Sequence, residues 1–379
     1  MDHEIRPASG ADPDAALDAL AIDEGATLLE AEGVRGWLFA HPTIAYLIRR
    51  FVMYVFTLWA AITATFFFFR LIPGNPIGAY IASLQQSYVY NAAASKAVVA
   101  HYKQVFGLDG NLLTQYLHYM YQLVVKHNLG PSLINYPTPA QNVIAQALPW
   151  TIGLLALSAV ISWLLGVVMG AFAGWRREWA ISRFLTYWSL ATANIPFYFV
   201  ALILLLVFAF KLGWMPSSYA YSSGSQVNLS LGFVWDVIYH GTLPALSIVL
   251  VSSFGNLLGM RQQMITVLGE DYLTFATAKG LRPWNILRRY AMPNCYLPQI
   301  TGLLISFGFI FNGNVLIENL FTYPGVGHLL VLAVQKLDLN TMMGVTDTAI
   351  FMVLSAVFLI DMILPVLDPR ITRGSAGGG

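Results

Sequence analysis

Six stretches of this chain, at roughly 48–71, 150–173, 184–212, 243–264, 297–321 and 344–367, are long, apolar and almost free of charge. A helix needs about 20 mainly apolar residues to cross a hydrocarbon core of about 30 Å, and each stretch meets that length. Hydrocarbon offers the backbone no outside hydrogen-bond partner, so such segments cross as helices. The expected fold is therefore an all-α polytopic membrane protein with six transmembrane helices. Composition agrees, because 57% of the 379 residues are hydrophobic and only 10% are charged, against about 25% in soluble domains. A single cysteine, Cys295, excludes an internal disulfide framework and any Cys-based metal site; it reads as a small buried apolar residue. A net charge of +1 gives no reason to expect nucleic acid as a partner.

Basic residues predict the orientation, since cytoplasmic loops are enriched in Lys and Arg. The side holding both termini carries fourteen of them: Arg6, Arg35, Arg49, Arg50, Arg176, Arg177, Arg183, Arg261, Lys279, Arg282, Arg288, Arg289, Arg370 and Arg373. The other side has six: Arg70, Lys96, Lys103, Lys126, Lys211 and Lys336. Both termini are thus expected in the cytoplasm, with the loops around 211–242 and 321–343 facing outward. Residues 1–45 form an acidic extension, with "GWLFAHP" offering Trp37, Leu38 and Phe39 to the bilayer interface. The first span, 46–71, is followed by an extracytoplasmic insert at 72–145, where "LIPGNP", "GLDGN" and "YPTP" are turn-forming clusters. The core domain runs over 146–373, and "GSAGGG" at 374–379 reads as a tail or linker remnant.

One long polar interruption, "GEDYLTFATAKGLRPWNILRRYAMPNCYLP", separates the fourth and fifth spans. "EDYLTFATAK" contains no Gly or Pro and predicts a helix that stops at Gly280. Pro283 suits the first turn of a second helix. Glu270 and Asp271 favour the helix N-terminus and Lys279 its C-terminus. Tyr272, Ala276 and Gly280 fall at i, i+4 and i+8, a face narrow enough for another surface to approach closely. An ordinary loop that only supplies topology-setting charge is the plainer alternative; the length and the strict stop between two helices favour docking.

The segment resembles the cytoplasmic motif of ATP-binding-cassette importer permeases: Glu-Ala-Ala, three residues, Gly, nine residues, Ile, one residue, Leu-Pro. Gly280 lies thirteen residues before Pro293, with Tyr290 and Met292 at the Ile and Leu positions and Ala276 at the second alanine. Thr274 and Phe275 stand where the motif has Glu and Ala. The variant "LGEDY…A.AKGL…N..LP" is similar to that of the dipeptide, oligopeptide and nickel branch. "YLIRRFVMYVFTLWAAITATFFFFRLIPGNP", "FGLDGNLLTQYLHYMYQLVVKHNLGPSL", "HGTLPALSIVL", "ENLFTYPGVGHLLVLAVQKLD" and "LDPRI" extend the likeness over roughly residues 46–373.

The resemblance implies a type I importer permease fold with a small external insert between the first two helices. It implies one half of a pore: a homologous second permease subunit beside it, two cytoplasmic ATPases beneath, and a substrate-binding protein outside. No GxxxxGK[ST] phosphate loop occurs in the chain, so it is expected not to be an enzyme and to hold no cofactor of its own; ATP and Mg belong to the partner ATPases. By position, Glu270, Asp271, Tyr272, Ala276, Lys279, Gly280, Leu281 and Arg282 would dock on the ATPase. Thr322, Tyr323, Pro324, Gly325, Val326 and Gly327 would reach the binding protein, or only turn the chain between spans. The expected home is a bacterial or archaeal cytoplasmic (inner) membrane, and the expected substrate a di- or oligopeptide, with short oligosaccharides or nickel as the alternative.

Polar groups at membrane depth are costly and point to function by default. Asn194, Asn312, Asn314 and Glu318 are the candidates for the translocation path, with interhelical hydrogen bonding the competing role. Asn194 and Pro196 are expected to kink the third span, and Asp361 to find a structural partner. A channel or scaffolding protein would also explain the spans, though not the cytoplasmic helix pair; a secondary transporter would more typically show related halves, and no internal repeat is evident.

Overall fold

The computed structural model describes residues 42–71, 104, 106–107, 109–192, 194–225, 227–228, 230–310 and 314–367. The acidic extension, the Trp37–Phe39 interfacial segment, most of the first half of the insert, Asn312 and the Gly-rich tail lie outside them. The described residues are helical: α1 Pro42–Leu71, α2 Leu112–Val124, α3 Ala140–Trp175, α4 Ala180–Thr192, α5 Phe197–Leu204, α6 Leu231–Leu268, α7 Asp271–Ala278, α8 Pro283–Ile286, α9 Met292–Ile310, α10 Val315–Leu320, α11 Val326–Gln335 and α12 Leu339–Leu367. Two of these continue as π-helical turns, α5 into Leu205–Lys211 and α8 through Leu287–Ala291 into α9.

Among the described residues four helices are long and apolar enough to cross a membrane, and five if a bent pair counts as one. The bent pair is α4 with α5, which meet at 102°. The kink expected at Asn194 and Pro196 of the 184–212 stretch is a full break, with α4 ending at Thr192 and α5 starting at Phe197 after Pro196. Proline disfavours helical backbone in the residue before it and lacks the N–H needed to continue the ladder. The fifth stretch also divides. Asn314 takes a non-helical conformation and its side chain accepts from the N–H of Ile317, starting α10 as a separate short helix.

The chain divides into two compact units, residues 57–360 and the smaller set that joins 42–56 with 361–367 among the described residues. In the smaller unit Arg50 pairs with Asp361 at 2.9 Å and its Nε donates to Tyr46 at 3.2 Å. That is the structural partner expected for Asp361.

The larger unit is built on α3 packed against α6. Gly166, Gly170 and Gly174 recur every fourth residue and form a bare stripe on α3. A Cβ on Gly170 would lie 2.5 Å from the Leu257 carbonyl oxygen and 2.7 Å from Met260 Cβ, and one on Gly174 would lie 2.6 Å from Met264 Cβ. Lipid gives two helices no hydrophobic reason to associate, so close backbone approach supplies the dispersion contact instead. Helix α2 is capped by Asn111, which accepts from Thr114 N–H, and stacks Tyr116 on Phe67 of α1 with ring centroids 5.6 Å apart. Its Tyr119 donates to Asp347 of α12. Buried Asp338 ties the segment before α3 to the start of α12, accepting from Ser132 Oγ at 2.7 Å, Leu133 N–H at 2.7 Å and Thr341 Oγ1 at 2.7 Å.

Filling the stripe tests this packing. Gly170→Val should cost about 1–3 kcal/mol of overpacking, seen as a lower thermal midpoint of the detergent-solubilised protein. Gly153→Ala, on the same helix but with nothing within 4 Å of its Cβ, should leave the midpoint unchanged or higher.

Candidate functional site

The helix pair α7–α8 caps one end of the α3–α6 scaffold. Gly280 adopts φ +76°; its N–H bonds Thr277 O at 2.9 Å and the Leu281 N–H bonds Ala276 O at 3.4 Å. These are the two bonds of a glycine-terminated helix end. Pro283 then opens α8 at its first turn. Leu273, Ala276, Ile286, Ala291 and Cys295 are buried together with Val167 and Ala171 of α3 and Met260, Met264 and Val267 of α6. Asn294 Nδ2 donates to Tyr272 Oη at 3.0 Å, linking α7 to α9. Partial burial, then the Glu270 carboxylate, raises the Tyr272 phenol above its ordinary range.

Of the expected row only Ala276 is covered, 3% exposed and packed against its own chain; Tyr272 is 40% exposed and a Cβ on Gly280 would have nothing within 4 Å. The outward row is one residue over: Asp271, Phe275 and Lys279, with the Lys279 ammonium 4.6 Å from the Phe275 ring centre. One residue of helix is a rotation of about 100°, enough to carry Phe275 off the side on which Ala276 is buried. Glu270, Asp271, Lys279, Gly280 and Arg282 remain exposed, and Leu281 is half-buried. The residues sequence reasoning passed over are Phe275 and Trp284, 62% and 66% exposed. Their signal was their type: large aromatics in a polar segment with no stripe of their own.

At the other end of the scaffold the turn at 322–327 is folded inward. Tyr323, Gly325, Val326 and Gly327 are buried, and only Thr322 and Pro324 are half-open. The expected projecting turn is thus packed, and the cause is Glu318. Its carboxyl group, 0% exposed, accepts from Thr151 Oγ1 at 2.9 Å and from the N–H groups of Gly327 at 2.7 Å and His328 at 3.4 Å. Thr151 Oγ1 in turn accepts from Val326 N–H at 2.8 Å. A Cβ on Gly325 would collide with the Glu318 carboxyl group, so glycine is required there. Burial, then the nearby Glu318, pushes the Tyr323 phenol up to about 12. Glu318 joins α3, α10 and α11 and does not face open space.

Between these ends lies a cavity of about 390 Å³. Ser162 and Trp163 of α3, Ser252 and Asn256 of α6, Gln299 and Ser306 of α9, and Asn314 line it beside apolar side chains such as Leu155, Phe197, Ile248 and Leu303, and among the described residues no charged side chain does. The Trp163 indole donates to the Gln299 carbonyl at 3.0 Å. Of the three intramembrane candidates among the described residues, Asn314 borders this space and Asn194 and Glu318 do not. Asn194 is exposed at the α4–α5 break, and Asn312 lies outside the described residues. Asn256 and Gln299 were readable as polar residues within apolar helices.

A close-packed scaffold of spanning helices, with a helix pair packed on one end, and a cavity of mixed apolar and amide lining define a multi-pass α-helical membrane protein. Residues 166–373 match the family described as binding-protein-dependent transport system inner membrane component, and the chain belongs to that family. It is 28% identical over 329 residues, 86% of this chain and 99% of the relative, to the oligopeptide transport system permease protein AppB of Bacillus subtilis. It is 29% identical to the dipeptide transport system permease protein DppB of the same organism, over 88% of this chain and 99% of the relative.

Removing the Glu318 carboxyl group should unlock the turn. Glu318→Ala strands the Thr151 hydroxyl and the Gly327 and His328 N–H groups, at about 1–3 kcal/mol for each buried unsatisfied group. Glu318→Gln keeps one oxygen acceptor and should lose less. The thermal midpoint and proteolytic susceptibility around 320–330 measure the difference.

Proposed function

We propose that this chain forms one half of the pore of an ATP-driven, binding-protein-dependent importer of di- and oligopeptides. The observation that carries the reading is the helix pair: its exposed Phe275, Lys279 and Trp284 stand on a core shared with α3, α6 and α9. A surface of that kind passes force applied from outside into the spanning helices, as a two-state element requires. The family match supplies the transport class, and the relatives named for oligopeptide and dipeptide transport support peptides as the cargo.

In this reading six helices cross the inner membrane, with α4–α5 as the bent third crossing and α9–α10 as the divided fifth. Both termini and the helix pair face the cytoplasm, and the segment around α2 faces outward. Two ATPases, holding ATP and Mg, grip the helix pairs of this subunit and of a homologous second permease. Glu270, Asp271, Lys279, Gly280 and Arg282 border the contact, and Phe275 and Trp284 are its anchors. The substrate-binding protein docks outside, where Thr322 and Pro324 offer what remains open of the 322–327 turn. Peptide passes between the two permeases along the amide- and hydroxyl-lined cavity, whose uncharged groups pair with peptide amides of any sequence. The chain itself catalyses no reaction.

Phe275→Glu and Trp284→Glu change surface positions only, so membrane insertion and pairing with the second permease should persist. Copurification of the ATPases in detergent should fall, and ATP-driven uptake by proteoliposomes should drop by about tenfold or more, as for loss of an anchor worth about 2 kcal/mol. Unaltered ATPase retention and uptake in the double variant would refute this docking assignment.

A further inference from the structure

Arg70 closes the apolar run of α1 with a charge that no protein anion answers. Its Nε and Nη1 are closed to solvent and have no hydrogen-bond partner among the described residues. Its Nη2 donates to the Gly107 carbonyl at 3.2 Å, and the guanidinium lies 5.4 Å from the Phe66 ring centre. Between Glu32 and Glu178 the sequence contains one acidic residue, Asp109, and that residue is exposed. Of the carboxylates at the start of α12 and on it, Asp338 is engaged by Ser132, Leu133 and Thr341, and Asp347 accepts from Tyr119 through Oδ2 while its buried Oδ1 has no partner among the described residues. Burial and the Asp347 carboxylate push the Tyr119 phenol above its usual range, so it stays neutral and offers Arg70 no countercharge. A half-buried cation left in this condition is costly, and an anion placed beside it would recover the loss.

The space for one exists. Arg70 borders a cavity of about 120 Å³ whose other polar walls are Gln115, His118, Gln122, Asn128 and Asn340. Gln115, His118 and Gln122 share one face of α2 at i, i+3 and i+7. Gly107 and Gly130 close the cavity with left-handed backbone, φ +63° and +83°, and a Cβ at Gly130 would come 2.6 Å from Asn340 Nδ2. One guanidinium among neutral amides balances a single negative charge, which suits a carboxylate better than a phosphate dianion. The carboxamides both donate and accept, as a peptide group next to a terminal carboxylate requires.

We propose that this cavity is a carboxylate-binding site and that its ligand is the C-terminal carboxylate of a short peptide, held by Arg70 and the carboxamides of Gln115 and Gln122. The inference rests on the peptide-import reading and adds a recognition point for the substrate in this chain itself.

The test uses the membrane assembly in nanodiscs, washed free of the soluble binding protein, with dialanine, C-terminally amidated dialanine and acetate as probes. Dialanine should bind, acetate should compete with it, and the amide should bind about tenfold more weakly or worse, the loss expected for a charge-assisted hydrogen bond. Arg70→Gln should weaken dialanine by a similar factor while Arg70→Lys retains part of the affinity. His118→Trp, at an exposed position on the cavity wall, should fill the space and abolish binding without touching Arg70. Equal affinity for dialanine and its amide, or unchanged binding by both Arg70→Gln and His118→Trp, would overturn the proposal, as would Arg70-dependent acetate binding that dialanine fails to displace. ATP-driven dialanine uptake by the complete importer separates the two ideas. No peptide uptake by the unaltered importer sinks the peptide reading, whereas normal uptake matched by Arg70→Gln sinks only the carboxylate site.

Discussion

The contact between α3 and α6 is the constraint on which the rest of the larger unit depends. Two apolar helices in lipid gain nothing from leaving water, so their association rests on how closely their backbones approach. The glycines at 166, 170 and 174 let the carbonyls of Ser253, Leu257 and Arg261 come within contact of α3, where any side chain would collide. Dispersion falls steeply with a gap of even half an ångström. The stripe therefore fixes the register of α3 against α6, and with it the position of everything that packs on both.

Two kinds of attachment use that scaffold. At the helix-pair end the attachment is apolar: Leu273, Ala276 and Ile286 enter a cluster containing residues of both scaffold helices. At the opposite end it is polar, with Glu318 and Thr151 binding the start of α11 to α3. The difference follows from what each end must satisfy. The first turn of α11 presents N–H groups with no partner inside the helix, and a buried helix start needs an acceptor. Glu318 provides it, and so a costly intramembrane carboxyl group is explained by the backbone it serves. The helix pair ends its first helix with its own glycine bonds, which leaves its side chains free for packing.

Much of this was legible in sequence where local chemistry decides the outcome. The helix stop at Gly280, the restart at Pro283 and the long apolar helices follow from glycine's tolerance of positive φ, proline's missing N–H and the thickness of a bilayer. The interruptions were less legible. A run such as 297–321 is apolar on average, and hydropathy does not report that Asn314 caps a new helix. Facing was the hardest to read, because in a helix as short as α7 only tertiary packing decides that Leu273 and Ala276 are covered while Tyr272, Phe275 and Gly280 stay open. Glu318 illustrates the same limit. Its cost inside a membrane marks it as important, but its partners Thr151 and Gly327 are distant in sequence or lie across a turn, so a sealed knot and a pore lining look alike until the chain is folded.

The route from the helix pair to the cavity is short and contains no loop. From Trp284, α8 runs through the π-helical turn Leu287–Ala291 directly into α9, which carries Gln299 and Ser306 to the cavity wall. A π turn holds an extra residue in the helix and is a place where register can shift without unfolding the segment. Pro298, within α9, removes one rung of the same ladder just before Gln299. The path from the exposed aromatics is thus interrupted at two points before the cavity, while the glycine stripe holds α3 and α6 in register beside it. The segment is tied to that scaffold at both ends of this stretch, by Ala291 and Cys295 packed among residues of α3 and α6 near the helix pair and by the Trp163 indole bonded to the Gln299 carbonyl at the cavity.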